Sequence, residues 1–177
     1  MKLSLCNEVI RELPFARQCA LAASLGYAGL EVAPFTFGDK AYAMTAAQRA
    51  EIRNACAAAG IAVSGLHWLL AAPAGLSITT ADRAVWRKSV DVLRALVELC
   101  AELGGDYLVH GSPKQRSVPA DTSRPDALAC ATECFARAGE AARQHGVVYC
   151  IEPLSTRETD LINTVAEAAA IVDAIGS

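Results

Sequence analysis

Residues 146–160 read GVVYCIEPLSTRETD, and this stretch decides the fold. A glycine suited to closing a helix in the left-handed conformation is followed at once by a β-prone apolar run that stops on Glu152 and Pro153. Pro153 holds Glu152 extended, so the carboxylate sits at the rigid end of a buried strand. The same junction recurs upstream. Gly26 precedes GLEVAP (29–34), Gly60 precedes IAVSGLHWLL (61–70), and Gly104 with Gly105 precedes DYLVHGSP (106–113). With the opening KLSLC (2–6), five strands are expected near 3–6, 28–33, 61–67, 106–110 and 147–152.

The intervening segments read as helices. In the third, Trp86, Val90, Leu93, Val97 and Cys100 recur at alternating spacings of four and three, which makes one apolar face. Thr45 with Gln48, Thr79 with Asp82, and Thr164 with Glu167 have capping-box spacing, and Pro14 and Pro125 suit a first turn. Strict βα alternation calls for a parallel sheet covered by helices and joined by right-handed crossovers. Two α/β architectures fit: a five-stranded doubly wound domain, or part of an eight-stranded barrel that normally takes about 250 residues. The turn after the first strand, CNEVIRELP (6–14), holds no glycine, so the phosphate-cradling loop of the doubly wound folds is missing.

Composition narrows the function classes. With 53% hydrophobic and 20% charged residues, the chain is globular and forms a single domain over 1–177. A net charge of -3 provides no basic field, which disfavours nucleic acid and leaves small molecules as expected partners. The seven cysteines are odd in number and form no CxxC pair. They read as small buried hydrophobes without disulfides in a reducing, cytoplasmic setting. No apolar run is long enough for a membrane span.

In parallel α/β folds the C-terminal ends of the strands carry the chemistry. Those ends deliver Asn7 or Glu8, then Glu31, His67, His110 and Glu152. Strand alternation puts Glu152 on one face with Cys150 and Val148, His110 with Leu108, and Glu31 with Gly29. All four are expected to point into the concave side at one end of the sheet. Glu8 reads as a solvated loop residue and His145 as part of a helix C-terminus. Trp68, one residue beyond His67, should face the other way and pack. Glu31, inside an apolar strand, needs a partner for its charge, either structural or in a site. A carboxylate placed like Glu152 can ligate a hard divalent cation or remove a proton beside a carbonyl.

The segments GLEVAP, GLHWLL, LVHGSP and EPLSTRETD, the last followed by INTVAEA, resemble sugar phosphate isomerases and epimerases of the xylose-isomerase-like TIM-barrel superfamily, ketose 3-epimerases and hydroxypyruvate isomerases among them. The resemblance implies a barrel with strands in sequential order, of which this chain holds about five of eight βα units. It implies a manganese, magnesium or cobalt ion held by a glutamate, an aspartate, a histidine and a second glutamate on strands five to eight. Glu152 matches the first ligand and would also be a catalytic acid/base. Glu158 matches a residue that contacts substrate hydroxyls, and Glu31, His67 and His110 line the substrate pocket. Arg157 could reach a substrate phosphate, although a solvated loop position is the simpler reading. The sixth strand is expected at Gly176 and Ser177, so the C-terminal part of the site is expected to be missing.

Two rival readings stand beside this one. Apurinic-site endonucleases share the scaffold and bind zinc through residues matching His67, His110 and Glu152. A non-catalytic half-barrel is the other. In either case the first and fifth strands lack neighbours, so self-association into a homo-oligomer through exposed edge strands is expected.

Overall fold

A computed structural model describes residues 1–176 as one parallel sheet with helices packed on one side. The strands are β1 Ser4–Cys6, β2 Gly29–Val32, β3 Ala62–Leu66, β4 Tyr107–His110 and β5 Val148–Ile151, each inside its expected range. Their spatial order is β1-β2-β3-β4-β5, with every pair parallel. A doubly wound sheet would reverse direction at a switch point, so sequential order identifies a barrel-type arc. Ser177, where a sixth strand was expected to begin, lies outside the described residues.

The principal helices are α1 Phe15–Ser24, α2 Ala46–Ala58, α3 Arg83–Leu103, the single turn α4 Pro113–Arg116, α5 Arg124–His145 and α6 Val165–Ile175. Both halves of the capping box form at Thr45/Gln48 on α2 and at Thr164/Glu167 on α6. The spacing of Thr79 and Asp82 misleads. Asp82 itself caps α3 by accepting from the Ala84 and Val85 amides. Thr79 is buried, and its hydroxyl donates to the Ser117 carbonyl instead. Gly104 and Gly146 close α3 and α5 at φ of 79° and 70°, a conformation in which a side chain would be strained.

The apolar stripe of α3 is buried from Trp86 to Cys100, and Leu93, Val97 and Cys100 are fully enclosed. Each buried leucine or valine on such a stripe contributes about 1.5–3 kcal/mol, so α3 anchors the helical layer. It packs chiefly against α5, whose Phe135 is also buried. The helix-facing side of the sheet carries Leu30, Val63, Leu66 and Leu108. The concave side carries smaller and polar groups and is only partly covered: Val148 on β5 is 62% exposed. Among the described residues, eight of the nine exposed large hydrophobics belong to the first 25 residues or to β5 and α6, with Leu128 the exception. They therefore gather on the two flanks of the arc.

Candidate functional site

The site is built at the C-terminal ends of the strands, where register decides which side chains meet. Cys6 pairs with Glu31 across β1 and β2, and each follows a residue turned to the helical layer, Leu5 and Leu30, so both face the concave side. Simple alternation in β3 would then fail, because Val63 points into the helical core and would carry His67 to the same side. The register shifts between Leu30 and Glu31, from a Val63 partner to a Gly65 partner, skipping Ser64. This irregularity changes the parity of the strand, returns Leu66 to the core and turns His67 towards Glu31. Gly65 allows it, since a Cβ there would collide with the carbonyl and ring of Tyr107.

His67 is the hub. Its Nδ1 lies 2.9 Å from Glu31 Oε2 and its Nε2 lies 3.3 Å from Glu152 Oε2. Contact with the Cys6 side chain and the hydrogen bond to Glu31 raise its pKa, and the Glu31 and Glu152 charges add to this. Together they outweigh burial and bring it to about 10. His67 is therefore an imidazolium at neutral pH. Burial works to raise the Glu31 carboxyl, but His67, helped by the Tyr107 hydroxyl, holds it below its ordinary range. Glu31 thus has the partner that an ionised carboxylate in an apolar strand requires.

Glu152 follows β5 directly, and its amide donates to the His110 carbonyl at 3.2 Å. Gly111 lies beneath the carboxylate so closely that a Cβ would strike Oε2. The Arg116 guanidinium, fully buried on α4, donates to the Glu152 carbonyl at 2.6 Å and fixes the chain at that point. His67, Trp68, Gly111, Glu152, Leu154 and Glu158 line a small cleft of about 100 Å³. Glu158 is exposed at its mouth, with its carboxylate accepting from the Ser155 hydroxyl at 2.8 Å.

Three expectations from sequence are corrected here. His110 does share a face with Leu108, but that face is turned to the helices. Its ring is fully buried against Phe135 at 5.1 Å, and Nδ1 sits 2.6 Å from the Tyr149 hydroxyl. Burial, with the nearby Arg116 charge, pushes its pKa down to about 3, so it stays neutral and exposes no atom to the cleft. Trp68 does not turn away. At φ 55° it leaves strand geometry, and its ring lies beside His67 at 6.0 Å, lining the cleft. Cys6 is not simply a buried hydrophobe: it is partly exposed beside Glu31 and His67. No sequence signal pointed to it, whereas Gly65 inside a strand was a legible sign of the irregularity. Of the two candidates after β1, Asn7 is buried and bonded to the Ala33 amide, Gln18 and Thr36. Glu8 remains outside the cluster on the following 3-10 turn.

Glu31, His67 and Glu152 at the strand ends, with Glu158 across the cleft, make an acidic rim on a sequentially ordered arc of βα units. The chain belongs to the xylose isomerase-like TIM barrel family, whose model matches residues 19–177. It is similar to an L-ribulose 3-epimerase from Mesorhizobium japonicum, 27% identical over 118 residues that cover 67% of this chain and 38% of that protein. Among solved structures, a D-psicose 3-epimerase superposes with a TM-score of 0.82 at 21% identity, covering 100% of this chain and 61% of the other. A 3-keto-D-glucoside 4-epimerase from E. coli gives 0.79 at 17% identity, covering 99% and 65%. The chain thus spans less than two thirds of the length of these relatives. No helix among the described residues is long and apolar enough to cross a membrane.

Proposed function

We propose that this chain supplies the first five βα units of a ketose 3-epimerase type of site, with Glu152 as the acid/base that exchanges the proton on the carbon beside a ketose carbonyl. The observation that carries this reading is the position of Glu152. Its side chain is 35% exposed at the lip of the cleft, held by Pro153 and Arg116 and oriented through Oε2 by His67. A partly exposed carboxylate on a rigid backbone can both reach a substrate and keep its aim. Glu158 and Trp68 would bind the sugar, one through hydroxyl hydrogen bonds and the other through its ring. Glu31 and His67 would hold the carboxylate in place.

The carboxylate chemistry of Glu152 fits a hard divalent cation such as manganese, magnesium or cobalt, because it offers an oxygen donor at an accessible rim. Such a cation, when bound, would polarise the ketose carbonyl and lower the cost of removing the neighbouring proton. Glu152 takes that proton and gives an enediolate. Inversion then requires a second acid on the opposite face, which this reading assigns to a glutamate outside the described strands. The zinc nuclease alternative would need His110 next to His67 and Glu152, and His110 lies under the sheet.

Proton exchange is the direct test. With manganese and D-fructose or L-ribulose in heavy water, the chain should incorporate deuterium at C3 above the buffer rate without accumulating the 3-epimer. Glu152→Gln should abolish the incorporation. Exchange that survives this substitution, or no exchange with any ketose tried, would overturn the assignment.

The flanks carry the remaining part of the reading, which is a second copy of the chain as partner. In a twofold arrangement about the barrel axis, β5 and α6 of each copy meet β1 and α1 of the other. All strands remain parallel, and the apolar side chains concentrated on the two flanks are covered together.

A further inference from the structure

We infer that Cys6, Glu31 and His67 form a binding site for a borderline-soft divalent transition metal, zinc by preference, separate from the hard-cation position at Glu152. Three adjacent strands supply one donor each, and register sets them level: Cys6 pairs with Glu31, and Glu31 with Gly65, two residues before His67. One ligand atom from each of the three lies within 4.8 Å of the other two. His67 Nδ1 lies 2.9 Å from Glu31 Oε2. A tetrahedral zinc with bonds of about 2.0–2.3 Å needs donors roughly 3.4–3.6 Å apart. The 2.9 Å pair lies just inside that value and no pair exceeds 4.8 Å, so side-chain rotation without backbone movement would seat the metal. The metal would take the place of the proton between Nδ1 and Oε2.

Two features distinguish this cluster from an ordinary ion pair. The first is the Cys6 sulfur, a soft donor that hard cations avoid and that zinc or cobalt accepts as thiolate. The second is the other nitrogen of His67. Its Nε2 faces Glu152 Oε2 at 3.3 Å, the carboxylate partner that a metal-ligating histidine usually has on its free nitrogen. Three protein ligands leave a fourth position open. The Glu31 and His67 side chains are only 17% and 22% exposed, so that position is accessible to water or a small ligand yet shielded from bulk solvent.

This inference does not rest on the epimerase reading, and its test uses a separate signal. The reduced, metal-free chain is titrated with cobalt(II) and followed by absorption. One equivalent should produce an intense near-ultraviolet thiolate-to-cobalt band with tetrahedral visible bands, and zinc should bleach both. Cys6→Ser and Glu31→Gln should each remove the thiolate signal or the tetrahedral bands. Glu152→Gln should retain both with affinity weakened about 10–100-fold. Alkylation of the wild-type chain, mapped by mass spectrometry, gives a check that needs no variant: zinc should protect Cys6. The inference is overturned by absence of the thiolate band, by its survival in Cys6→Ser, by its complete loss in Glu152→Gln, or by unchanged Cys6 alkylation with zinc. Deuterium exchange at a ketose reads Glu152 and is indifferent to these outcomes.

Discussion

Replacing Gly111 by alanine separates the geometry of the site from the stability of the fold. The new Cβ would meet Glu152 Oε2, with the Glu152 Cδ at 3.5 Å and His67 Nε2 at 3.7 Å. The nearest atom is the far end of a flexible side chain, and Gly111 is not among the residues with positive φ, so the backbone need not move. The carboxylate must swing away, breaking its 3.3 Å contact with His67. A hydrogen bond to a charged group contributes about 1.5–3 kcal/mol. The Glu152 side chain is 35% exposed, so solvent screening brings the expected loss to about 1 kcal/mol. Alanine restricts the unfolded chain and returns about 0.4–1 kcal/mol. Urea unfolding should therefore differ from wild type by about 1 kcal/mol or less. The His67 ring should respond, by less than it would to loss of Cys6 or Glu31. Its pKa, followed by proton NMR in the metal-free chain, should fall from about 10 yet remain above 6.5, because the contacts with Cys6 and Glu31 are untouched. An unchanged His67 titration would refute the argument, and so would a destabilisation above about 3 kcal/mol, which would mean that the backbone had been displaced.

Other outcomes follow from the same contacts. Because the folded pKa of His67 lies above its ordinary 6.5, its contribution to stability is complete below about pH 6.5 and is lost as pH rises through 10. Glu31→Gln should flatten that alkaline decline in denaturant midpoints measured from pH 6 to 10.5. His110 has the opposite sign: buried as a neutral ring with a pKa near 3, it favours the folded state above 6.5 and progressively less as pH falls from there to 3. His110→Gln, which keeps a polar group facing Tyr149, should lose less stability than wild type between pH 6.5 and 4, and an identical acid profile would count against the buried assignment. Sedimentation of the wild-type chain should give a dimer, and Leu3→Lys combined with Val148→Lys on the two flanks should give a monomer. A wild-type monomer would remove the second copy as the occupant of the edges.

The elements were legible in the sequence because their signals are local. Helix periodicity, glycines that tolerate positive φ, and capping pairs act over four or five residues, so all five strands and the stripe from Trp86 to Cys100 could be read without knowing what they touch. Glu152 was legible for the same reason, as a carboxylate fixed by Pro153 at the end of an apolar run. The face each strand-end side chain takes was decided only by tertiary structure. Alternation shows which residues share a face but not which face the helices cover, so His110 was grouped correctly with Leu108 and placed on the wrong side. It also assumes an unbroken count, which β3 interrupts at Ser64 and Gly65 to turn His67 inwards, and which the left-handed backbone at Trp68 interrupts again. Register between strands far apart in sequence brings Cys6, Glu31 and His67 level. That pairing depends on how the whole sheet packs against α3 and α5, and no local stretch of sequence contains it.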